Sequence, residues 1–355
     1  MRVAFGQCFT DDRRDHDWAR RLRRTAEHLA SRGHDITVFC TRWWPEETDT
    51  TERNRVTYRA VTETPSPDSF ALRLPIELAR ASQVPDVIHT TETEPWTVLA
   101  CRTYGTIRRV PIVADWYGDD PSVVSTDSRM WQFALRAPAK IITPSRYVKR
   151  TLRERGGHGD RITVIPESIN TGLIESIEPA GDADIVYSGR LDRWANVEPV
   201  LLALAELRDR GWHAAIIGDG PARDEYEAQA ADLRIDDRID FTGALPLPVR
   251  LARFKQAHVF VQTASQCSFA TELLWALAAG CVGVVEYQTN SSAHELVEGH
   301  PRGFRSTGDE ELAEAIAAAG ELPRHTTDDT FDAYDHDQVL EQYLSLYRDL
   351  IGLGG

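Results

Sequence analysis

The stretch that decides the fold is Ala183–Pro221, ADIVYSGRLDRWANVEPVLLALAELRDRGWHAAIIGDGP. A short run rich in Ile and Val, Ala183–Ser188, leads into Gly189-Arg190. A helical stripe follows, built on Val197, Val200, Leu201, Leu204 and Leu207. A second apolar run, Ala214–Ile217, then ends in Gly218-Asp219-Gly220-Pro221. Strand, helix and strand, with glycines just beyond both strands, is the pattern of a parallel βαβ unit. In open sheets of such units, ligands bind beyond the carboxyl ends of the strands.

The same scheme extends in both directions. Downstream, Ile239–Thr242, His258–Gln262 and Val282–Glu286 read as strands separated by helix-length segments. Upstream, Met1–Phe5, Ile36–Cys40, Asp86–His89 (the fourth or so), Pro111–Ala114, Ala139–Thr143 and Arg161–Ile165 read likewise. Trp18, Leu22, Ala26 and Leu29 form one helical stripe, which Gly33 is placed to end. Thr48–Asp68 reads as an exposed loop or a β-ribbon excursion. Val339, Leu340, Tyr343, Leu344, Tyr347 and Leu350 line one face of a final helix. The irregular, polar Glu167–Asp182, with Gly172, Pro179 and Gly181, marks a boundary. The expected class is α/β: two doubly wound parallel-sheet, Rossmann-like domains facing across a cleft. They are residues 1–170 and 171–335, with 336–355 as a helix returning to the first.

Composition narrows the function. A chain of 355 residues is long for one domain and comfortable for two. A net charge of −15 argues against a nucleic-acid partner. Lys140, Lys149 and Lys255 are the only lysines among 40 Lys and Arg. That acidic, Lys-poor balance is expected of a salt-loving organism, and stability across a salt series tests it. Cys8, Cys40, Cys101, Cys267 and Cys281 are scattered and odd in number, as for reduced thiols in a cytoplasm. The N-terminus MRVAFGQCF reads as a strand rather than a signal peptide, and no apolar run is long enough to span a bilayer. No basic face is evident that would anchor the chain at a membrane. Trp43-Trp44 reads as an interfacial or a locally packed pair.

The strand-end loops of the second half hold the candidate chemistry. Gly189 permits a tight turn, and Arg190 offers a fork of donors suited to a diphosphate. An Arg there also fits a solvated or salt-bridged residue. Gly218, Asp219 and Gly220 allow close approach of a ligand or form a simple turn, with Pro221 in a first helical turn. Asn290-Ser291-Ser292 precedes a short helix and fits a cap or an anion site. Glu272 lies in the first turn of the apolar Thr271–Ala279 helix, where a carboxylate suits the helix dipole and could also bind sugar hydroxyls. Asp119-Asp120 are adjacent rather than spaced as a metal-binding pair, so no metal is expected.

Read in order, these segments resemble the family 4 (group 1) retaining glycosyltransferases over nearly the whole chain. The resemblance rests on RGHDITVF (Arg32–Phe39), PDVIHTTE (Pro85–Glu92), AKIITPSRYVKRTL (Ala139–Leu152) and ITVIPESIN (Ile162–Asn170). It continues through YSGRLDRWANVEPVLLAL (Tyr187–Leu204), IIGDGPARDEYEA (Ile216–Ala228), the run Val259–Gly299 and GDEELAEAI (Gly308–Ile316). It implies a GT-B fold, a nucleoside diphosphate sugar as co-substrate with no further cofactor, and transfer with retention. The acceptor would be a glycan or lipid-linked hydroxyl. Location would be cytoplasmic, with peripheral contact at the inner membrane face allowed.

By the resemblance Arg190, Glu272 and Asp115 are the catalytic candidates. Gly189, Gly218, Asp219, Gly220, Cys267, Ser268, Phe269, Ser291, Ser292 and Glu295 are those for the donor. Arg190, Gly218, Gly220, Phe269, Gly280 and Glu295 match the family pattern. Its lysine falls at Ala195, its paired glutamates at Cys267 and Trp275, and its Gly-Gly at Ser291-Ser292. Its glycine-rich first loop becomes the charged Thr10–Asp17, and Asp115-Trp116-Tyr117 stands where it has a histidine. Losing two charged contacts costs about 3–6 kcal/mol of binding. Two further readings therefore stay open: a degenerate relative that binds a nucleotide sugar or a partner without transfer, and a sugar-nucleotide epimerase on the same fold.

Overall fold

The computed structural model describes residues 1–10, 12, 16–91, 95–118 and 129–352. Asp119-Asp120, most of the charged stretch after Thr10, and Glu92 lie outside the described residues. Two compact units emerge, Met1–Pro166 with Asp337–Gly355, and Glu167–His336.

The first unit contains β1 (Arg2–Gly6), α1 (Asp17–Ser31), β2 (Asp35–Thr41), β3 (Thr50–Arg53), β4 (Val56–Thr62), α2 (Pro67–Arg80) and β5 (Val87–Thr91). It continues with α3 (Pro95–Arg108), β6 (Ile112–Asp115), α4 (Arg129–Arg136), β7 (Lys140–Thr143), α5 (Arg146–Glu154) and β8 (Ile162–Val164). Its eight-stranded sheet runs β3-β4-β2-β1-β5-β6-β7-β8, parallel throughout except where β3 pairs antiparallel with β4. Trp18, Leu22, Ala26 and Leu29 of α1 are all buried. Gly33, at φ 82°, closes the helix: its N–H meets the Ala30 carbonyl and that of His34 meets Leu29.

Of the two readings of Thr48–Asp68 the β-ribbon is the one found, but it is part of the main sheet rather than an excursion from it. The segment supplies the β3–β4 hairpin, and β4 enters the sheet beside β2 with Val56 and Tyr58 buried. Asp86–His89 accordingly leads into the fifth strand. Trp43 and Trp44 pack edge-on at 5.6 Å, Trp43 against Tyr58 at 5.4 Å, and Trp44 Nε1 donates to the Thr48 carbonyl. The pair is locally packed.

The second unit contains α6 (Thr171–Ser176), β9 (Ile185–Ser188), α7 (Glu198–Glu206), β10 (Ala214–Ile217), α8 (Arg223–Asp232), β11 (Ile239–Gly243), α9 (Leu247–Gln256) and β12 (Val259–Gln262). After them come β13 (Gln266–Cys267), α10 (Thr271–Ala278), β14 (Val282–Glu286), β15 (Asn290–Ser291), α11 (His294–Val297), β16 (Gly303–Ser306) and α12 (Asp309–Gly320). The main sheet is parallel, in the order β11-β10-β9-β12-β14-β16. Its strands are apolar on both faces, as a sheet covered on two sides requires. Val186, Ala215 and Ile217 enter one buried cluster, while Ile185, Tyr187, Ala214 and Ile216 enter another. The last helix, α13 (His336–Leu350), buries Val339, Leu340, Tyr343, Leu344 and Tyr347 in the core of the first unit.

Candidate donor site

Parallel pairing sets Ser188 at the end of β9 beside Ile217 at the end of β10. The loops that follow are therefore neighbours, and they interlock through the backbone. Gly189 N donates to the Ile217 carbonyl (3.0 Å), Leu191 N to Asp219 (3.0 Å) and Ala222 N to Leu191 (2.9 Å). Gly218 N also reaches the carbonyl of Gly243, at the end of β11. The glycines make this approach possible. Gly218 has φ 143°, and a Cβ there would stand 1.8 Å from the Gly189 oxygen. A Cβ on Gly220 would stand 2.2 Å from the Leu191 oxygen. No side chain fits at either position. Pro221 sits ahead of the N-cap Ala222 rather than in the first turn of α8. The Asp219 carboxylate accepts the Gly220 N–H at 2.8 Å.

Arg190 rises from this double loop. Its side chain is 75% exposed and has Asp192 at 3.5 Å as its ion-pair neighbour. An accessible guanidinium over interlocked backbone loops at strand ends is suited to an anionic group.

Glu272, in the first turn of α10, reaches the same strand end. Its Oε2 accepts the Ser188 hydroxyl at 2.8 Å. Arg250 of α9 grips the carboxylate, with Nη2 at 3.0 Å from Oε1 and Nε at 3.0 Å from Oε2. Arg250 Nη1 donates to the Leu245 carbonyl at 2.7 Å, which fixes the guanidinium. Sequence reasoning missed Arg250. The signal was present: Leu247, Arg250, Leu251 and Phe254 share a helical stripe, and a cation on an apolar stripe needs a partner.

Two of the three positions where the resemblance expects charge are buried. Ala195 is 3% exposed, and its carbonyl accepts the Tyr187 hydroxyl. Trp275 is buried in the core. Burial pushes the Tyr187 phenol far above its ordinary range, so it stays neutral. Cys267 is half-buried on β13, which pairs with β15 so that Cys267 faces Ser291. Ser268 is buried, and Phe269 lies against Tyr334.

The expected amide site at Ser291-Ser292 meets a different arrangement. Ser291 N donates to Gln288, Ser292 N to Cys267, and the Ser292 hydroxyl to Ser268. The N-cap of α11 is Ala293, with no side-chain cap, and the helix has four residues. The Ser292 amide is spent on β13 and the Ser291 amide on a local turn with Gln288, so neither is left for an anion. Glu295 follows on α11, half-exposed, with its N–H on the Ser292 carbonyl.

Asp115, the catalytic candidate of the first unit, is held in a buried ion pair. Its Oδ2 accepts Arg21 Nε at 3.0 Å and the Tyr343 hydroxyl at 2.9 Å. Arg21 also donates to the carbonyls of Ile165 and Pro166. Both side chains of the pair are at most 5% exposed. His89 stacks on Phe5 and bonds the Tyr347 hydroxyl through Nδ1. Burial depresses the His89 pKa to about 4, although Asp115 nearby favours the charged form.

Residues 19–173 match the family model described as Glycosyltransferase Family 4, and residues 174–329 match the one described as Glycosyl transferases group 1. A curated relative, 2-deoxystreptamine glucosyltransferase of Streptomyces kanamyceticus, is 29% identical over 131 residues, 32% of this chain and 34% of the relative. The matched part thus spans about a third of that relative's length. Sucrose-phosphate synthase from Thermosynechococcus elongatus superposes with a TM-score of 0.76 over 99% of both chains, at 17% identity. Anabaena Alr3699/HepE in complex with UDP superposes with a TM-score of 0.71 over 100% of this chain and 97% of that one, at 16% identity. Both structural likenesses speak for the fold alone. The whole-length structural matches give the fold as GT-B, and with consecutive family models over residues 19–173 and 174–329 the chain belongs to the group 1 glycosyltransferases.

Proposed function

We propose that the chain transfers a sugar, with retention, from a nucleoside diphosphate sugar to a hydroxyl of a glycan or lipid-linked acceptor. The observation that carries this is the interlocked Gly189–Leu191 and Gly218–Gly220 backbone with the exposed Arg190 above it. In the reaction the anomeric carbon leaves the diphosphate oxygen and bonds the acceptor oxygen, and the acceptor proton is released. Arg190 stabilises the charge that develops on the departing diphosphate. Glu272 orients hydroxyl groups of the donor. Arg250 serves two purposes. It holds the carboxylate in place, and it neutralises it, so that the diphosphate does not approach an unpaired negative charge. The relative that acts on 2-deoxystreptamine and the neighbour bound to UDP are in keeping with this donor class. Location in a cytoplasm belongs to the same proposal; among the described residues no helix is long and apolar enough to cross a membrane.

The second reading, binding without transfer, draws on Ala195, Cys267 and Trp275, where the family's charged side chains are absent and two of the three positions are buried. Mass-spectrometric screening of nucleotide sugars and acceptors with the purified protein separates the two. Transfer of a sugar mass to an acceptor is the expected result. Donor binding in calorimetry with no product from any acceptor would leave the second reading standing.

A further inference from the structure

In the first unit, α3, α4 and α5 converge on one apolar cluster. Val98 of α3, Trp131, Ala134 and Leu135 of α4, and Val148 and Leu152 of α5 are its buried members. Their inward faces are thereby used, and what remains outward is unlike the rest of the molecule. Residues 136–161 carry eight Lys or Arg against Glu154 and Asp160, in a chain whose net charge is −15. On α5, Arg146, Lys149, Arg150 and Arg153 recur at helical spacing, opposite Val148 and Leu152. Arg150 and Arg153 are exposed, as is Arg136 on α4. Phe133 stands out from α4 at 62% exposure, one turn before Arg136, and Ile107 stands out from the end of α3 at 75%. Arg102 of α3 and Arg161 donate to carbonyls at the end of α4, which keeps these segments together.

We propose that the α4–α5 face is a docking surface for an anionic lipid bilayer. A basic stripe alone would suit any polyanion. The exposed Phe133 and the exposed aliphatic Ile107 of the neighbouring α3 favour a bilayer, because both gain burial at its interface. A phosphate backbone offers neither an apolar contact, and Ile107 cannot stack on a base. Acidic character over the rest of the chain adds direction: a negative leaflet repels the molecule elsewhere and attracts it here. This face lies in the first unit and shares no residue with the donor loops, so it stands or falls independently of the proposed reaction.

The whole protein is sedimented with vesicles of phosphatidylcholine containing about a third phosphatidylglycerol, and with pure phosphatidylcholine, at about 0.1 M salt. Binding to the anionic vesicles alone, weakening as salt rises, is the expected result. Arg150→Gln with Arg153→Gln should lower partitioning about thirtyfold, at roughly fivefold per charge. Phe133→Ala should lower it severalfold. All three positions are exposed, so unchanged melting temperature and nucleotide binding serve as the folding control, and the salt series on the unaltered protein needs no variant. No sedimentation with anionic vesicles overturns the proposal. So does equal affinity for a single-stranded RNA with no effect of Phe133→Ala, which would assign the face to polyanions in general.

Discussion

Each unit holds an Arg–carboxylate pair near a strand's carboxyl end, and the two pairs differ in burial. Arg21–Asp115 in the first unit is exposed by 2% and 5%, and buried Tyr343, His89 and two backbone carbonyls complete its partners. Arg250–Glu272 in the second is exposed by 24% and 25% and sits beside an accessible arginine and a glycine-built double loop. The same chemistry thus serves as a structural tie where water is excluded; where water enters, the proposed function gives it a role towards a ligand. The sequence reading assigned both carboxylates to catalysis. Burial separates them.

Breaking the buried pair gives the largest expected effect. Arg21→Ala leaves Asp115 charged and unpaired in the core and should destabilise the first unit by about 3–5 kcal/mol in urea unfolding. Loss of less than about 1 kcal/mol would mean that the pair is not the tie described here. The neighbouring His89 gives a related prediction through pH. Its folded value, about 4, lies below the ordinary 6.5, so the unfolded chain takes up a proton first as pH falls. Its contribution is fully present above 6.5 and is lost progressively towards pH 4, by about 3 kcal/mol. In His89→Gln that part of the slope should vanish; an unchanged slope would assign it to other groups.

The loop glycines come next. Gly218→Ala sets a Cβ against the Gly189 carbonyl at a left-handed φ, so the backbone must move. A stability loss of about 1–3 kcal/mol, together with weakened nucleotide binding, is expected. Retained binding would show that the interlock is dispensable. The open pair gives the smallest stability effect. Glu272→Ala should cost at most about 1 kcal/mol, because water already screens the pair, yet should lower turnover tenfold or more. Arg250→Ala should behave alike, with turnover partly rescued in Arg250→Lys. A stability loss as large as that of Arg21→Ala would erase the contrast between the pairs.

Much of the fold was legible because burial on both sheet faces leaves runs such as Ile185–Ser188 and Ala214–Ile217, and because Leu22, Ala26 and Leu29 keep helical period. The β3–β4 hairpin and α2 were not, since Thr48–Asp68 is polar and Pro75 sits inside the helix. In the site, Gly189, Arg190 and Gly218–Gly220 could be found by their place after strands. Arg250 showed only as a cation on an apolar stripe and Arg21 as one more arginine of α1; the carboxylate that gives each its meaning is distant in sequence. The two-residue strands β13 and β15, whose pairing takes the Ser292 amide, are too short for any period to reveal.

In the proposed function Arg190 and the interlocked loops form a nucleotide-sugar donor site. Calorimetric titration of UDP, the nucleotide in the matched Anabaena structure, into the unaltered protein and Arg190→Ala tests it most directly. Saturable binding that weakens about tenfold or more without the guanidinium is expected, with melting temperature unchanged because Arg190 is exposed. Equal affinity for both proteins would contradict it.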